Sequence, residues 1–233
     1  METEIPAMLH LRERHFPERF TFHSSRMRMK RVTKEELEAM DRDSDRCAAE
    51  LSDARVDVLG YACLVAIMSM GKGYHRESER RLAQCALDNG VAIPVVTSAG
   101  ALVDAIHAMG AKRVSLVCPY LKPLTRLVVD YIENEGIEVK DYVALEIPDN
   151  LKVAAQDPAL LKDIYKRVDY RHSDALVLSA CVQMRSLPSI AAVQAESGVP
   201  TLSASVATTW GMLRRLNLDT TVPDCGELLS GRF

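Results

Sequence analysis

Apolar residues along this chain fall into two kinds of segment that alternate from end to end. Runs such as Val58-Leu59-Gly60, Ile93 to Val96, Val114 to Cys118 and Leu176-Val177-Leu178 are nearly continuous, the pattern of a strand buried on both faces in a parallel sheet. Between them apolar positions recur every three or four residues. Leu37, Met40, Cys47, Ala48 and Leu51 form one stripe, Leu102, Val103, Ile106 and Met109 another, and Leu124, Leu127, Val128 and Ile132 a third, each fitting a helix with one buried face. Thr33 with Glu36 reads as a capping box, and Asn89-Gly90, Gly110, Gly136 and Gly198 read as stops. Further helices are expected near Ile5 to Leu9, with Pro6 in a first turn, at Glu77 to Leu87, Pro158 to Tyr170 and Ile190 to Glu196, and around Trp210, Leu213 and Leu216. Strands are expected at Phe20 to Met29, Ile137 to Leu145 and Val199 to Leu202, with an irregular tail after Pro223. Strand and helix alternating in this way predict an α/β fold with parallel sheets flanked by helices.

The pattern also repeats. Val58-Leu59-Gly60-Tyr61-Ala62-Cys63 is answered by Leu176-Val177-Leu178-Ser179-Ala180-Cys181, with Asp57 upstream of one and Asp174 of the other. Ser98-Ala99-Gly100 is echoed by Ser203-Ala204-Ser205. Two pseudo-symmetric, Rossmann-like lobes are therefore expected, residues 1–97 plus 206–233 and residues 98–205, with a site in the cleft between them. The second half opens on the strand Val114 to Cys118, whereas the first opens directly on a helix near Glu2. By its own symmetry the first lobe lacks its first strand and the following loop, a segment of about 15 to 20 residues.

Composition narrows the function classes. Of 233 residues 48% are hydrophobic and 26% charged, ordinary for a globular protein. A net charge of −3 offers no general attraction to nucleic acid, and the cluster Arg26, Arg28, Lys30 and Arg31 reads as a solvated loop. No apolar run approaches the roughly 18 residues of a membrane span. The acidic opening Met1-Glu2-Thr3-Glu4 lacks the positive charge of a secretory signal, so a cytoplasmic protein is expected. Six cysteines without a Cys-x-x-Cys pair or Cys/His spacing predict neither a disulfide framework nor a metal site. Cys47, and Cys85 beside Leu82 and Ala86, lie on helical stripes and read as packing.

Cys63 and Cys181 differ from these because each follows the carboxyl end of a predicted strand, where open α/β sheets bind ligands. A free cysteine in such a run is often simply a buried apolar side chain, but recurrence at equivalent strand ends points to a pair of thiols in one site. An unperturbed thiol is only about 3% ionised at pH 7. Backbone N–H groups in the turn after each cysteine are the expected help, and a fall to about 7 would raise the thiolate fraction some 16-fold, partly offset by weaker nucleophilicity.

Around these cysteines the chain resembles maleate isomerase, the maleate cis-trans isomerase branch of the aspartate/glutamate racemase superfamily. The resemblance is carried by Tyr61-Ala62-Cys63-Leu64-Val65, Cys118-Pro119-Tyr120, Asp149-Asn150, Leu178-Ser179-Ala180-Cys181-Val182-Gln183-Met184 and the Met-Glu-Thr-Glu-x-Pro-Ala opening. It implies cofactor-free conversion of maleate to fumarate in a homodimer, serving the breakdown of nicotinate-like or other aromatic compounds. It further implies that Cys63 adds to the olefin to give a succinyl-cysteine intermediate, and that Cys181 supplies and later removes a proton. Tyr120 and Asn150 match substrate-contacting positions; without the resemblance they read equally well as a packed tyrosine and a turn residue. Backbone N–H groups of Leu64, Val65 and Val182 are candidate carboxylate donors, while Ser98 and Ser203 fit helix caps better. Racemases of the superfamily follow their cysteines with Asn-Thr or Thr-His, and decarboxylase relatives keep one cysteine. Here the followers are Leu64-Val65 and Val182-Gln183 and both cysteines are present. Two departures stand out: the family's opening strand and Pro-Ser-Ser-Asn loop do not precede Met1, and Arg185 replaces an expected proline. A two-cysteine amino-acid or hydantoin racemase and a non-catalytic small-acid binder are the alternatives.

Overall fold

Two parallel sheets form the frame of the molecule, and helices cover both of them. The computed structural model describes residues 2–30 and 33–233; Met1 of the opening motif and Arg31 of the basic cluster lie outside them. In chain order the elements are α1 (Glu4–Arg12), α2 (Lys34–Asp53), β1 (Leu59–Tyr61), α3 (Leu64–Ser69), α4 (Tyr74–Asp88), β2 (Val95–Thr97), α5 (Ser98–Ala108), β3 (Arg113–Cys118), α6 (Lys122–Asn134) and β4 (Glu138–Ala144). They continue with α7 (Asn150–Ala154), α8 (Leu161–Ile164), β5 (Ala175–Ser179), α9 (Leu187–Ser197), β6 (Thr201–Ser203) and α10 (Ala204–Arg215).

The first sheet pairs β1 with β2, Leu59 opposite Val95 and Tyr61 opposite Thr97. The second has the order β4-β3-β5-β6. From β3 the chain moves first to one side, to β4, and then across to the other, to β5 and β6. The crevice between the carboxyl ends of β3 and β5 is thus a topological switch point, where this architecture places ligands. The apolar runs of β3 and β5 are buried from Val114 to Cys118 and from Ala175 to Ser179, as strands covered on both faces must be. Asp174, the aspartate upstream of the second cysteine, anchors the start of β3. Its carboxylate accepts the N–H groups of Lys112 and Arg113 at 2.9 Å each and pairs with the Arg113 guanidinium at 3.1 Å.

Helix starts follow local chemistry. Thr33 accepts the Glu36 N–H at 3.3 Å and Asp149 the Lys152 N–H at 2.9 Å, each filling one of the open donors of a first turn. Three expectations need correcting. Residues 20–29 form no strand, because an extended run becomes one only when a neighbour takes its backbone bonds, and no described strand pairs with it. The helix expected from Pro158 to Tyr170 is broken into a 3-10 turn, the short α8 and a second 3-10 turn at Tyr165–Arg167. The tail after Pro223 contains a 3-10 turn at Glu227–Leu229, and the Phe233 carbonyl accepts the Trp210 indole N–H at 3.2 Å.

One connected apolar core runs through both sheets and includes Met8, Ile67, Ile106, Leu116, Leu176 and Trp210. Polar contacts add to it between α4 and α6. The Tyr131 hydroxyl meets His75 Nδ1 at 2.6 Å and accepts its backbone N–H at 3.1 Å, and Arg76 forms a two-pronged pair with Glu135 at 2.6 and 3.1 Å. Among the described residues no helix is long and apolar enough to cross a membrane.

Leu116 lies fully buried at the middle of β3. Leu116→Ala should lower the unfolding free energy by about 2–5 kcal/mol, read from the urea midpoint at unchanged slope. Burial pulls the His75 imidazole below its ordinary value. Between about 6.5 and that lower folded value, the unfolded chain binds a proton that the folded chain refuses. Stability therefore falls as pH drops, by at most about 1.4 kcal/mol per unit for one such site, and His75→Gln should flatten that part of the pH profile.

Candidate active site

Each of the two repeated cysteines stands two residues beyond a strand end, Cys63 after β1 and Cys181 after β5. At that point the ladder has ended and the backbone must turn. Cys63 makes its turn as the N-cap of α3 (φ −131°, ψ 92°), and its carbonyl accepts the Ile67 N–H at 3.3 Å. The helix it opens is short and wholly apolar in its first turn; the side chains of Leu64 and Val65 are buried in the core, which leaves their backbone as the part that can serve a ligand. The Ala66 N–H reaches the Cys63 sulfur and favours its anion, but desolvation wins and pushes the thiol up to about 12, with the Cys181 charge adding to the rise. The lowered pKa expected from the turn amides is therefore not found. An apolar enclosure costs a thiolate more than one backbone donor returns.

Cys181 is held more elaborately. The Ala180 N–H donates to Val117 O at 2.9 Å, extending the β3–β5 contact one residue past the strand. The Ser179 hydroxyl lies within hydrogen-bonding distance of the carbonyls of Cys181 (2.9 Å) and Met184 (3.1 Å), folding the loop back on the strand end. Gln183 Nε2 donates to the Asn150 carbonyl at 2.7 Å, which ties the same loop to α7. The Val182 side chain is buried, and Arg185 is exposed on the loop.

Tyr120, just past β3, lies across the switch point from Cys181. Its hydroxyl donates to Ala180 O at 3.2 Å, and its carbonyl accepts from Glu146 N–H and the Thr125 hydroxyl, both at 3.2 Å. Burial raises the phenol well above its ordinary value, and the charges of Cys181 and then Cys63 raise it further, so both cysteines lie within electrostatic reach of this hydroxyl. Tyr120, Asn150 and Cys181 share the wall of a small cavity of about 30 Å³ with Ile147 and Val153, room for about one water molecule. Cys63 approaches from the first sheet and does not line that cavity. A third thiol, Cys118, ends β3, fully buried and also pushed up by burial.

Other expectations meet mixed outcomes. Cys47 is core, while Cys85 is only half-buried. Ser203 caps α10, accepting Val206 N–H at 3.4 Å, but α5 is capped by Thr97, which accepts Gly100 N–H at 3.0 Å. The Ser98 hydroxyl is buried with no hydrogen-bond partner among the described residues. Ser179 and Gln183 belong to the motif around Cys181, but their loop-fastening bonds are not read from it. The partner of Gln183 lies 33 residues away in sequence, beyond any local signal.

The family model described as arylmalonate decarboxylase matches residues 12–229. A maleate isomerase of Pseudomonas putida is 64% identical over 233 residues, covering 100% of this chain and 93% of the relative. The crystal structure of the maleate isomerase Iso from Pseudomonas putida S16 superposes with a TM-score of 0.98 at 65% identity, covering 100% of this chain and 94% of that one. The maleate cis-trans isomerase of Nocardia farcinica, solved as a cysteine-to-serine mutant with a covalently bound succinylcysteine intermediate, gives a TM-score of 0.94 at 43% identity, covering 98% and 92%.

Cys63 as a residue is only half-buried, but desolvation of its sulfur raises the thiol, so its alkylation by iodoacetamide at pH 7.5 should be slower than that of free cysteine and climb steadily to pH 10. Peptide mass spectrometry after timed labelling reads this directly.

Proposed function

The chain belongs to the maleate isomerases, within the arylmalonate decarboxylase family, and from that premise we propose that it converts maleate to fumarate without a cofactor, through a succinyl-cysteine formed on Cys63. What supports the reading is that Cys181 shares a cavity wall with Tyr120 and Asn150, while Cys63, at the equivalent strand end of the other sheet, lies within electrostatic reach of the same buried phenol. Rotation about a carbon–carbon double bond is prohibitive, and covalent addition replaces it with rotation about a single bond.

In this scheme the Cys63 sulfur bonds to one olefinic carbon while the other receives a proton from Cys181. The proton leaving Cys63 restores the Cys181 thiol, so one S–H is added across the double bond and no electrons are gained or lost. After rotation about the new single bond the steps reverse: Cys181 gives its proton to the departing Cys63 sulfur as it takes the one on carbon, the carbon–sulfur bond breaks and fumarate leaves with both thiols restored. A thiol held neutral by its enclosure suits this order, because charge develops on sulfur only when substrate is present to take it up. Tyr120 and Asn150 are assigned to the substrate carboxylates as hydrogen-bond donors, with backbone N–H groups of Leu64, Val65 and Val182 as further donors. The buried side chains of those three residues offer nothing to an ammonium group, which favours a substrate without an amine over an amino acid, and they keep water from the intermediate. A homodimer in the cytoplasm, serving the breakdown of aromatic compounds that yield maleate, completes the proposal; six free thiols suit a reducing compartment.

Proton NMR of maleate mixed with the protein should show fumarate accumulating, with no racemisation of aspartate. Cys63→Ala should lower kcat by on the order of a thousandfold or more and leave no adduct in intact-mass spectra. Cys181→Ala should lower turnover comparably yet still permit the adduct. Fumarate formation unaffected by both changes would sink the scheme.

A further inference from the structure

We propose that Glu4, on the first helix, is a positioning residue for the Cys181 thiol; the proposal rests on the isomerase reading above. Glu4 is 4% exposed, and its three donors all come from the far end of the chain. Oε1 accepts the N–H groups of Ser186 at 2.6 Å and Leu187 at 2.5 Å, and Oε2 accepts the Ser205 hydroxyl at 2.6 Å. One carboxylate thereby joins α1, the start of α9 and the start of α10.

The place it occupies is a vacant cap. α9 begins at Leu187, and its N-cap Ser186 (φ −140°, ψ −20°) makes no side-chain cap bond; its hydroxyl is buried without a hydrogen-bond partner among the described residues. The open N–H groups of a first turn and the positive end of the helix favour an anion there, and Glu4 supplies it from another element. A buried carboxylate is costly unless it is fully bonded, and a serine cap would have satisfied the helix locally. What the distant carboxylate adds is register: it fixes where α9 starts relative to α1, which itself packs on α10.

The loop from Cys181 to Ser186 runs between two fixed ends. Ser179 holds its beginning through the carbonyls of Cys181 and Met184, and Glu4 holds its end through Ser186 and Leu187. Glu4 does not touch Cys181 and takes no part in bond making. Releasing one end lets the sulfur drift, and a displacement of about 1 Å can cost on the order of a hundredfold in rate. The affected step is specific. Addition can use the proton that Cys63 itself releases, whereas removing a proton from a saturated carbon needs a placed base.

The test compares the unaltered protein with Glu4→Gln and Glu4→Ala, following fumarate by proton NMR and the Cys63 adduct by intact-mass spectrometry during turnover. In Glu4→Gln one amide oxygen can still accept both backbone N–H groups, so folding by circular dichroism should be unchanged while kcat falls about three- to tenfold. In Glu4→Ala kcat should fall about ten- to a hundredfold. In both, adduct should accumulate above the unaltered level and KM should fall with kcat as it does so. That accumulation is the signature a merely structural role would not produce. If kcat and adduct level match the unaltered protein, or fall together in proportion to lost folded protein, the positioning role is overturned; should Glu4→Ala fail to fold, Glu4→Gln alone decides. An unaltered protein that makes neither fumarate nor adduct overturns the isomerase reading instead.

Discussion

A sulfur anion is poorly tolerated inside an apolar enclosure, and the site is built around that cost. Cys63 is pushed up to about 12 and Cys118 is pushed up as well, in each case chiefly by desolvation. Nearby charges of the same sign make matters worse, since Cys181 raises both and raises the Tyr120 phenol. No more than one of these groups can be ionised cheaply at a time. Such a cluster resists reaction when empty and handles a proton by passing it on, which suits covalent chemistry whose net change in charge is zero.

The enclosure exists because the strands end where they do. β3 and β5 are adjacent and buried, and the chain passes from β3 to β4 on one side before crossing to β5 on the other. Their carboxyl ends therefore open a crevice that neither following loop can close by itself. Tyr120 leaves one lip and Cys181 the other, bridged by the tyrosine hydroxyl on Ala180 O. The β1–β2 sheet brings Cys63 toward the same place, and the apolar start of α3 seals it with Leu64 and Val65.

Polar groups that hold this geometry come from a strand end, a loop and a distant helix. Ser179 fastens the Cys181 loop to the strand it leaves, Gln183 fastens it to α7, and Glu4 fastens its far end to α1 and α10. None of these bonds faces solvent freely, so each constrains position more strongly than a surface contact of the same length would. Tyr131 with His75 and Glu135 with Arg76 extend the same logic to the packing of α4 on α6.

Local signals were enough for the helix stripes, the buried runs of β3 and β5 and the cap at Thr33, and the internal repeat singled out Cys63 and Cys181 as candidates. These are local signals: side-chain spacing sets which face is buried, and a short polar side chain before a helix can reach only its own first turn. What needed the folded chain was everything that depends on a distant partner. Residues 20–29 have strand-like composition yet no strand beside them, Ser98 yields its expected role to Thr97, and the amide at Cys63 is outweighed by surroundings that no spacing reveals. Glu4 reads in the sequence as one acidic residue in a first turn, and its three donors are 182, 183 and 201 residues away. Residue type and spacing thus marked the candidate thiols, while tertiary packing raised the Cys63 thiol and tied down the Cys181 loop, because desolvation and long-range hydrogen bonds exist only once remote segments are brought together.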